Sequence, residues 1–366
     1  MKILDTIRIV LIPLTPLYGY IVKLRNYLFD KKIFKAKRVN VPVISVGNLT
    51  VGGSGKTPMT IYFAELLKSR GFTPGILSRG YGRKSKGYIL VSEKGEILAG
   101  VEESGDEIYQ TVLECKVPAA VSENRVRGAK KLLQETNTNV IILDDAFQHR
   151  WIHRDLDVLV FEQRHLTTSN KYRRMMLPTG NMREPIESVS RADIIVLNRK
   201  FSEKAEISEE TGKYFADKKV FTGYYKAVGF VDLKRDSFYK PEDFTGQKSL
   251  VVSGIAYPYS FINALNGMNI ETANHIVLRD HRYYTHEDIK RIRKEFYALN
   301  VQSVITTQKD AVRLTPFLKE LDDIDIFYLK IELKFDDEEE LNNSIINKVI
   351  ESKNNKQLQN QTRKGR

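Results

Sequence analysis

Cysteine is almost absent from this sequence, with one residue, Cys115, among 366. A disulfide framework and a zinc or iron–sulfur site built from several cysteines are therefore excluded. Hydrophobic residues, by contrast, make up 42% of the chain and aromatic residues 10%. Such a chain can bury a substantial core and is not disordered as a whole. For this length we expect two domains, or one large domain with an insertion.

A hydrophobic run long enough to cross a membrane is also missing near the N-terminus. The uncharged stretch IVLIPLTPLYGYIV has 14 residues, fewer than the roughly 20 that a spanning helix needs, and two prolines interrupt it. No small-residue cleavage site follows, which disfavours a signal peptide. Because the segment carries tyrosines and cations flank this stretch, we predict that residues 1–40 form an amphipathic segment in the interface of an anionic membrane. A helical hairpin packed on the protein's own core is the alternative.

The body of the chain has no charge surplus. The net charge is +12, but residues 1–40 carry +7 and residues 352–366 carry +5, which leaves 44 charges of each sign between them. A basic groove through the fold is not supported, so nucleic acid is not an expected partner, and nothing indicates an obligate protein partner. The tail 352–366 is polar without an apolar period and is predicted to be disordered.

Short apolar runs alternate with helical patterns from residue 41 onward. The runs lack period-2 alternation, as expected for strands whose two sheet faces are both covered by helices, and they lie at 41–46, 73–78, 117–122, 139–143, 156–161 and 192–197. Helices are predicted at 57–70 and 122–135, and a second α/β series begins near residue 248. We therefore predict an α/β fold with a P-loop NTPase-like doubly wound sheet at 41–230 and a smaller α/β lobe at 231–345, with a ligand cleft between them.

A phosphate-binding loop follows the first predicted strand, in the sequence GNLTVGGSGKTP. Its glycines let backbone amides turn inward, Lys56 can reach the β- and γ-phosphates, and the Thr57 hydroxyl can bind Mg²⁺. The loop departs from the strict G-x-x-x-x-G-K-[ST] pattern because Thr50 occupies the first glycine position. ATP and Mg²⁺ are thus the expected cofactors, with the nucleotide bound by Thr50, Val51, Gly52, Gly53, Ser54, Gly55, Lys56 and Thr57, here called the P-loop.

Two further groups are predicted at the same edge of the sheet. The run NVIILDD ends in Asp144 and Asp145, here called the acid pair, and a carboxylate in this position holds Mg²⁺ directly or through water. A helix cap or turn is the alternative, and the sequence does not decide which aspartate coordinates. Arg79 and Arg83 follow the second strand, where guanidiniums can grip phosphate; solvated arginines in a glycine turn are the alternative.

Seven motifs in a fixed order carry a family resemblance. The chain resembles the tetraacyldisaccharide 4′-kinase (lipid A 4′-kinase) family over about residues 10–315, through SVGNLTVGGSGKTP (45–58), SRGYGR (78–83), GDE (105–107), LDDAFQH (143–149), LPTGNMREP (177–185), RDH (279–281) and TTQKDAVRL (306–314). The resemblance implies transfer of the ATP γ-phosphate to the 4′-hydroxyl of tetraacyldisaccharide 1-phosphate, a lipid. The product would be lipid IVA, formed at the cytoplasmic face of the inner membrane.

The resemblance also implies roles for individual residues. Asp106 becomes the proton acceptor and His281 its orienting partner, since a lone carboxylate is a weak base that an imidazole contact can place and tune. Lys56 is the third catalytic residue. Glu184 joins Thr57 and the acid pair around Mg²⁺. Substrate contacts are expected from Arg79, Arg83, Gln148, His149 and Arg183. Lys309 and Asp310 match the family without an assigned role.

Two rival functions are weaker. A membrane-associated P-loop switch ATPase often carries a lysine just before the two glycines of its loop, where this chain has Val51. Another P-loop sugar or metabolite kinase would leave the basic, apolar N-terminal segment without a purpose.

Overall fold

A computed structural model describes residues 10–168, 170, 174–255, 258–278 and 283–364. Helix α1 spans Leu14–Asp30. No helix within these ranges is long and apolar enough to cross a membrane. The first α/β series then comprises β1 Val43–Gly47, α2 Lys56–Ser69, β2 Pro74–Ser78, β3 Ile89–Glu93, β4 Glu96–Ile97, α3 Val101–Ser104, α4 Asp106–Cys115, β5 Ala119–Val121, α5 Arg125–Glu135, β6 Val140–Asp144, β7 Leu156–Glu162, α6 Gln163–Thr167 and β8 Ile194–Asn198.

The second series begins after a short helix and a long strand, α7 Glu209–Gly212 and β9 Lys219–Asp232. It contains β10 Phe238–Tyr239, β11 Ser249–Ser253, α8 Pro258–Gly267, β12 His275–Val277, α9 His286–Ala298, β13 Ser303–Thr307, α10 Gln308–Leu314, β14 Ile326–Phe335 and α11 Glu338–Lys364. Short 3₁₀ helices lie at Ile186–Arg191, Pro241–Phe244 and Thr315–Leu321.

All fourteen strands found in the described ranges belong to one sheet, in the order β12-β11-β13-β14-β9-β8-β7-β1-β6-β2-β5-β3-β4, with β10 beside β9. The central strands β1, β6, β7 and β2 are parallel. They are buried along their length, except for the last residue of β7, because helices cover both faces. This mixed α/β fold confirms the predicted class.

The two α/β series meet at an antiparallel pair. β14 runs against β9 from Phe335 opposite Gly223 to Phe327 opposite Asp232, while the start of β9 pairs in parallel with β8. The predicted boundary between residues 230 and 231 therefore falls inside a strand shared by both halves. Division into lobes at 41–230 and 231–345 stays a prediction.

The C-terminal tail corrects the sequence-based expectation of disorder. Helix α11 continues to Lys364, and Lys356 is buried, with its ammonium donating to the Val41 carbonyl and to Asp155 Oδ2, both at 2.6 Å. The buried positions of this helix recur at a helical spacing, at Leu341, Ile345, Val349, Ser352 and Lys356. The last two are polar, which hid the period in the sequence.

A smaller correction concerns α5. It begins at Arg125 rather than near Ser122, because the Asn124 side chain caps it by accepting from the Arg127 amide. Asparagine is among the strongest N-cap residues.

Candidate active site

Two neighbouring parallel strands bring the P-loop and the acid pair together. β1 pairs with β6 so that Val46 lies opposite Asp144. The loop that follows β1 therefore starts beside the two aspartates at the end of β6. Helix α2 begins at Lys56, directly after the loop, and its N-terminus adds a field that favours anions. Lys56 and the acid pair thus share one edge of the sheet.

Backbone conformation requires glycine at two P-loop positions, and lack of space is a second reason at one of them. Gly52 and Gly55 have φ angles of 106° and 99°, in the left-handed region that strains other residues. At Gly55 a Cβ would also lie 2.0 Å from Asn198 Nδ2 and 2.7 Å from the Tyr225 hydroxyl. Asn198 in turn donates to the Ser54 carbonyl at 3.1 Å. The loop is therefore fixed against the end of β8 by Asn198, which also donates to the Tyr225 hydroxyl of β9.

The two acids of the pair sit in opposite electrostatic environments. Asp144 is buried and accepts from the Ser78 hydroxyl at 3.0 Å; burial, with the charges of Glu107 and Asp145, raises its pKa to about 6. Burial also acts to raise the pKa of Asp145, but the Lys56 ammonium and the Arg183 guanidinium outweigh it and lower that pKa. Arg183 Nη1 donates to both Asp145 oxygens, at 2.8 and 2.9 Å, and Lys56 Nζ lies 3.8 Å away.

The donor set fits Mg²⁺ completed by a nucleotide. Within the described ranges no group of three or more His, Cys, Asp or Glu side chains could hold a metal. Mg²⁺ in kinase sites usually takes only one or two carboxylates and completes its shell with phosphate and water oxygens. The hydroxyl of Thr57, at the start of α2, and the acid pair, at the end of the adjacent strand, offer the oxygen ligands that such a site needs.

Glu184, predicted beside Mg²⁺, has other partners. It is completely buried, and Oε1 accepts from Arg25 at 2.5 Å while Oε2 accepts from Arg191 at 2.5 Å and from Asn26 at 3.2 Å. Both carboxylate oxygens are therefore occupied by cations and an amide. Glu184 links helix α1 to the body rather than facing the P-loop.

Asp106 opens helix α4 behind Gly105 and is buried. Its Oδ1 accepts from the Glu107 amide at 2.9 Å. Its Oδ2 accepts from Arg313 Nε and Nη2, at 2.9 and 2.5 Å. Sequence reasoning missed Arg313, although it stands in the TTQKDAVRL motif beside Lys309 and Asp310. The predicted partner His281 lies outside the described residues.

The two arginines of SRGYGR behave differently. Arg83 is bound within the protein, because its Nη2 donates to Glu123 Oε1 at 2.5 Å and to the Gly87 carbonyl at 2.6 Å. Arg79 is exposed and adds to the positive field at His149. Of this pair, Arg79 has the position that suits a ligand contact.

Gln148 and His149 lie just past the acid pair. Gln148 donates to the Asn48 carbonyl at 2.9 Å, which ties the acid-pair loop to the P-loop. Burial and the charges of Arg125, Arg154 and Arg79 lower the pKa of His149 to about 4, so the ring is neutral near pH 7. Its Nε2 is buried and finds no hydrogen-bond partner within the part of the chain that the structure describes. Neighbouring cations and a buried polar atom suit an anionic ligand.

Helix α1 docks on the loops that carry these residues. The Tyr18 hydroxyl donates to the Arg183 carbonyl at 2.9 Å, and the Thr15 and Thr179 hydroxyls are 2.6 Å apart. Arg150 donates to Asp30 at 2.6 Å. One face of the helix thus packs on the body, as in the hairpin alternative; residues 1–9, which a first arm of a hairpin would include, lie outside the described residues.

The opposite face of α1 is apolar and open. Its side chains are about half exposed, at Leu14 50%, Leu17 58%, Tyr20 65%, Ile21 57%, Leu24 43% and Tyr27 53%. Together these residues are here called the outer face. A contiguous apolar surface of this kind marks an interaction site with a membrane or another protein.

The chain is similar to known proteins along most of its length. The family model described as Tetraacyldisaccharide-1-P 4′-kinase matches residues 7–350. A tetraacyldisaccharide 4′-kinase of Chlorobium phaeobacteroides is 35% identical over 355 residues, 93% of this chain and 98% of that protein. The one of Aquifex aeolicus is 36% identical over 334 residues, 90% and 96% of the two chains.

A solved structure resembles the fold as well. LpxK from Aquifex aeolicus, an "apo" form crystallised in complex with ATP, matches with a TM-score of 0.76 and 32% identity, over 94% of this chain and 99% of that one.

Proposed function

This chain belongs to the tetraacyldisaccharide-1-P 4′-kinase family, and on that premise we propose which of its residues carry the reaction. It is an ATP-dependent kinase that transfers the γ-phosphate to the 4′-hydroxyl of tetraacyldisaccharide 1-phosphate, forming lipid IVA in lipid A biosynthesis. The observation that carries this conclusion is the match over nearly the whole chain. A switch ATPase or a different sugar kinase would have no reason to match there.

In the proposal, the P-loop binds the ATP phosphates and Lys56 neutralises charge on the transferring group. Thr57 and the acid pair would hold Mg²⁺, which when bound offsets negative charge on the phosphate oxygens. Asp145 is kept in place by Arg183, while Asp144 accepts from the Ser78 and Thr60 hydroxyls. These contacts support a role in orienting oxygen ligands toward the nucleotide.

Asp106 is the proposed proton acceptor. The 4′-hydroxyl oxygen forms its bond to the γ-phosphorus as the bond to ADP breaks, and the hydroxyl proton passes to the Asp106 carboxylate. Because the transition state is loose, alignment matters more than base strength. The firm hold on both carboxylate oxygens supports this role, and a contribution from His281 stays a prediction.

The substrate's 1-phosphate is proposed to bind near His149. The charges of Arg125, Arg154 and Arg79 act on the neutral ring. Arg154 is paired with Asp157 at 3.0 Å, whereas burial lowers the pKa of Arg125 only to about 10, so that it stays charged. Fixed cations in a partly buried setting attract a dianionic headgroup. Gln148 holds the loop in register with the P-loop.

The outer face of α1 is proposed to lie in an anionic membrane, at the cytoplasmic face of the inner membrane. Its half-exposed aliphatic and tyrosine side chains, with Lys23 and Lys31 nearby, suit the headgroup boundary. The lipid substrate would then reach the site without leaving the bilayer entirely.

Vesicle binding tests the membrane proposal. Leu17→Glu should weaken sedimentation with phosphatidylglycerol–phosphatidylethanolamine vesicles at least tenfold, whereas Leu358→Glu should not. Leu358 is equally exposed, at 62% against 58%, but lies on helix α11, between the cations Lys356 and Arg363. Unchanged binding of Leu17→Glu, or loss of binding in Leu358→Glu, would move the contact away from α1.

The kinase proposal is tested with γ-labelled ATP and tetraacyldisaccharide 1-phosphate, beside its deacylated analogue. The acylated substrate should be labelled, and Lys56→Ala and Asp106→Asn should each lower kcat by about 10²–10⁴-fold. Asp106→Asn should still bind ATP. If neither acceptor is labelled, the kinase assignment is wrong; if Asp106→Asn keeps near-normal kcat, only the base assignment fails.

A further inference from the structure

Helix α10 of the second α/β series packs against α4, the helix that begins with Asp106. Gln308 accepts from Gln110 at 3.0 Å and donates to Glu114, and Lys309 Nζ lies 3.2 Å from Glu107 Oε1. One turn further along, Arg313 reaches Asp106. The TTQKDAVRL motif therefore forms one of the contacts between the two halves, beside the proposed base.

The Arg313 guanidinium is itself fixed by further hydrogen bonds. Its Nη1 donates to the Gly254 carbonyl at 2.9 Å and to Asp310 Oδ1 at 3.3 Å. Asp310 itself accepts from the Gly254 amide at 2.9 Å and the Thr307 hydroxyl at 2.7 Å. Arg313 is 3% exposed and Asp310 0%. A chain of buried hydrogen bonds thus connects Gly254, just after β11, through Asp310 and Arg313 to Asp106.

We propose that Arg313 is a positioning residue that fixes the Asp106 carboxylate for proton acceptance, and that Asp310 aims Arg313. This rests on the proposed role of Asp106. A guanidinium that binds one oxygen through two nitrogens, while the Glu107 amide binds the other oxygen, prevents the carboxylate from rotating. The second half of the protein thereby contributes to a reaction centre built on the first.

Steady-state kinetics of the full chain with Mg²⁺–ATP and tetraacyldisaccharide 1-phosphate in detergent micelles test this inference. Arg313→Gln should lower kcat by about 10–100-fold, since a misplacement near 1 Å can cost about 10²-fold. The KM for ATP should stay within about twofold, because the P-loop is untouched. Arg313→Lys should recover part of the loss, as a single donor can still reach Asp106.

Gln308→Ala is the matched control. Gln308 lies on the same helix and joins the same two halves but does not contact Asp106, so kcat should stay within about twofold. If Gln308→Ala lost as much activity as Arg313→Gln, docking of the halves would explain both and the positioning role would be wrong.

A double-mutant cycle separates positioning from structure. In an Asp106→Asn background, Arg313→Gln should cost less than about threefold, because the group it positions is gone. A loss as large as in the wild type would overturn the inference. Unchanged kcat in Arg313→Gln, with Asp106→Asn inactive, would overturn it while leaving the proposed base intact. Should Arg313→Gln fail to fold, Arg313→Lys with normal kcat in a folded protein would be equally decisive against it.

Discussion

Replacing Asp144 by asparagine should make the Mg²⁺-free protein more stable while removing its activity. Asp144 is 4% exposed, and its described hydroxyl partners are Ser78 at 3.0 Å and Thr60 at 3.4 Å. Burial and the nearby Glu107 and Asp145 charges raise its pKa to about 6 from the ordinary value of 3.8. Folding therefore favours the protonated, neutral form of the Asp144 carboxyl over its charged form.

The sign and size of the effect follow from linkage. Below pH 3.8 Asp144 is protonated in both states and costs nothing. Between that value and about 6 the folded state binds the extra proton, so stability falls as pH rises, and above pH 6 the full penalty applies. A difference of about two pKa units corresponds to about 3 kcal/mol. Asp144→Asn should thus stabilise by about 1 kcal/mol at pH 4.5 and by up to about 3 kcal/mol at pH 8.

Urea unfolding in EDTA at the two pH values measures the difference. Asp145→Asn is the matched control with the opposite sign: it removes the partner of Lys56 and Arg183, which lower the pKa of Asp145, and should destabilise at pH 8. An Asp144→Asn gain that is absent, or equal at both pH values, would refute the reasoning about the buried charge.

Three further predictions concern single contacts. Glu184→Gln should lower the free energy of unfolding by about 3–5 kcal/mol, because it removes the buried negative charge that pairs with Arg25 and Arg191; a loss below about 1 kcal/mol in urea titrations would contradict this. Lys356→Met should cost about 1.5–3 kcal/mol through its charge-assisted bonds, whereas Lys348→Met, whose pairing with Glu351 is exposed, should cost under about 0.5 kcal/mol in the same titrations. Gly55→Ala should abolish ATP binding in calorimetry through the collision at Asn198, while Gly53→Ala, where a Cβ meets nothing within 4 Å, should bind normally.

The parts of the fold that could be predicted are those with a local pattern. The buried run that forms β6 and the glycine loop after β1 can each be recognised from about ten consecutive residues. Parallel pairing of β1 with β6 then places Asp144 beside the P-loop. The contact of Asp106 with Arg313 spans 207 positions and that of Arg25 with Glu184 spans 159. Side-chain pairs at such separations leave no periodic trace in one sequence.

The tail and the shared sheet were missed for related reasons. Ser352 and Lys356 are buried through hydrogen bonds rather than apolar contact, so their polarity suggested disorder. β9 continues for 14 residues, longer than either half needs alone. Only the pairing of its second part with β14, nearly a hundred residues later, explains that length.

Helix α1 is synthesised well before the loop on which it docks. Its contacts with Thr179, Arg183 and Glu184 join residues 158 to 165 positions apart. At synthesis rates of about 5–20 residues per second, the docking loop leaves the ribosome about 8–30 s after the helix does. During that interval the loop is not yet available for α1 to pack against. Under the proposed membrane role of the outer face, this interval gives the helix time to bind the bilayer before it docks on the body.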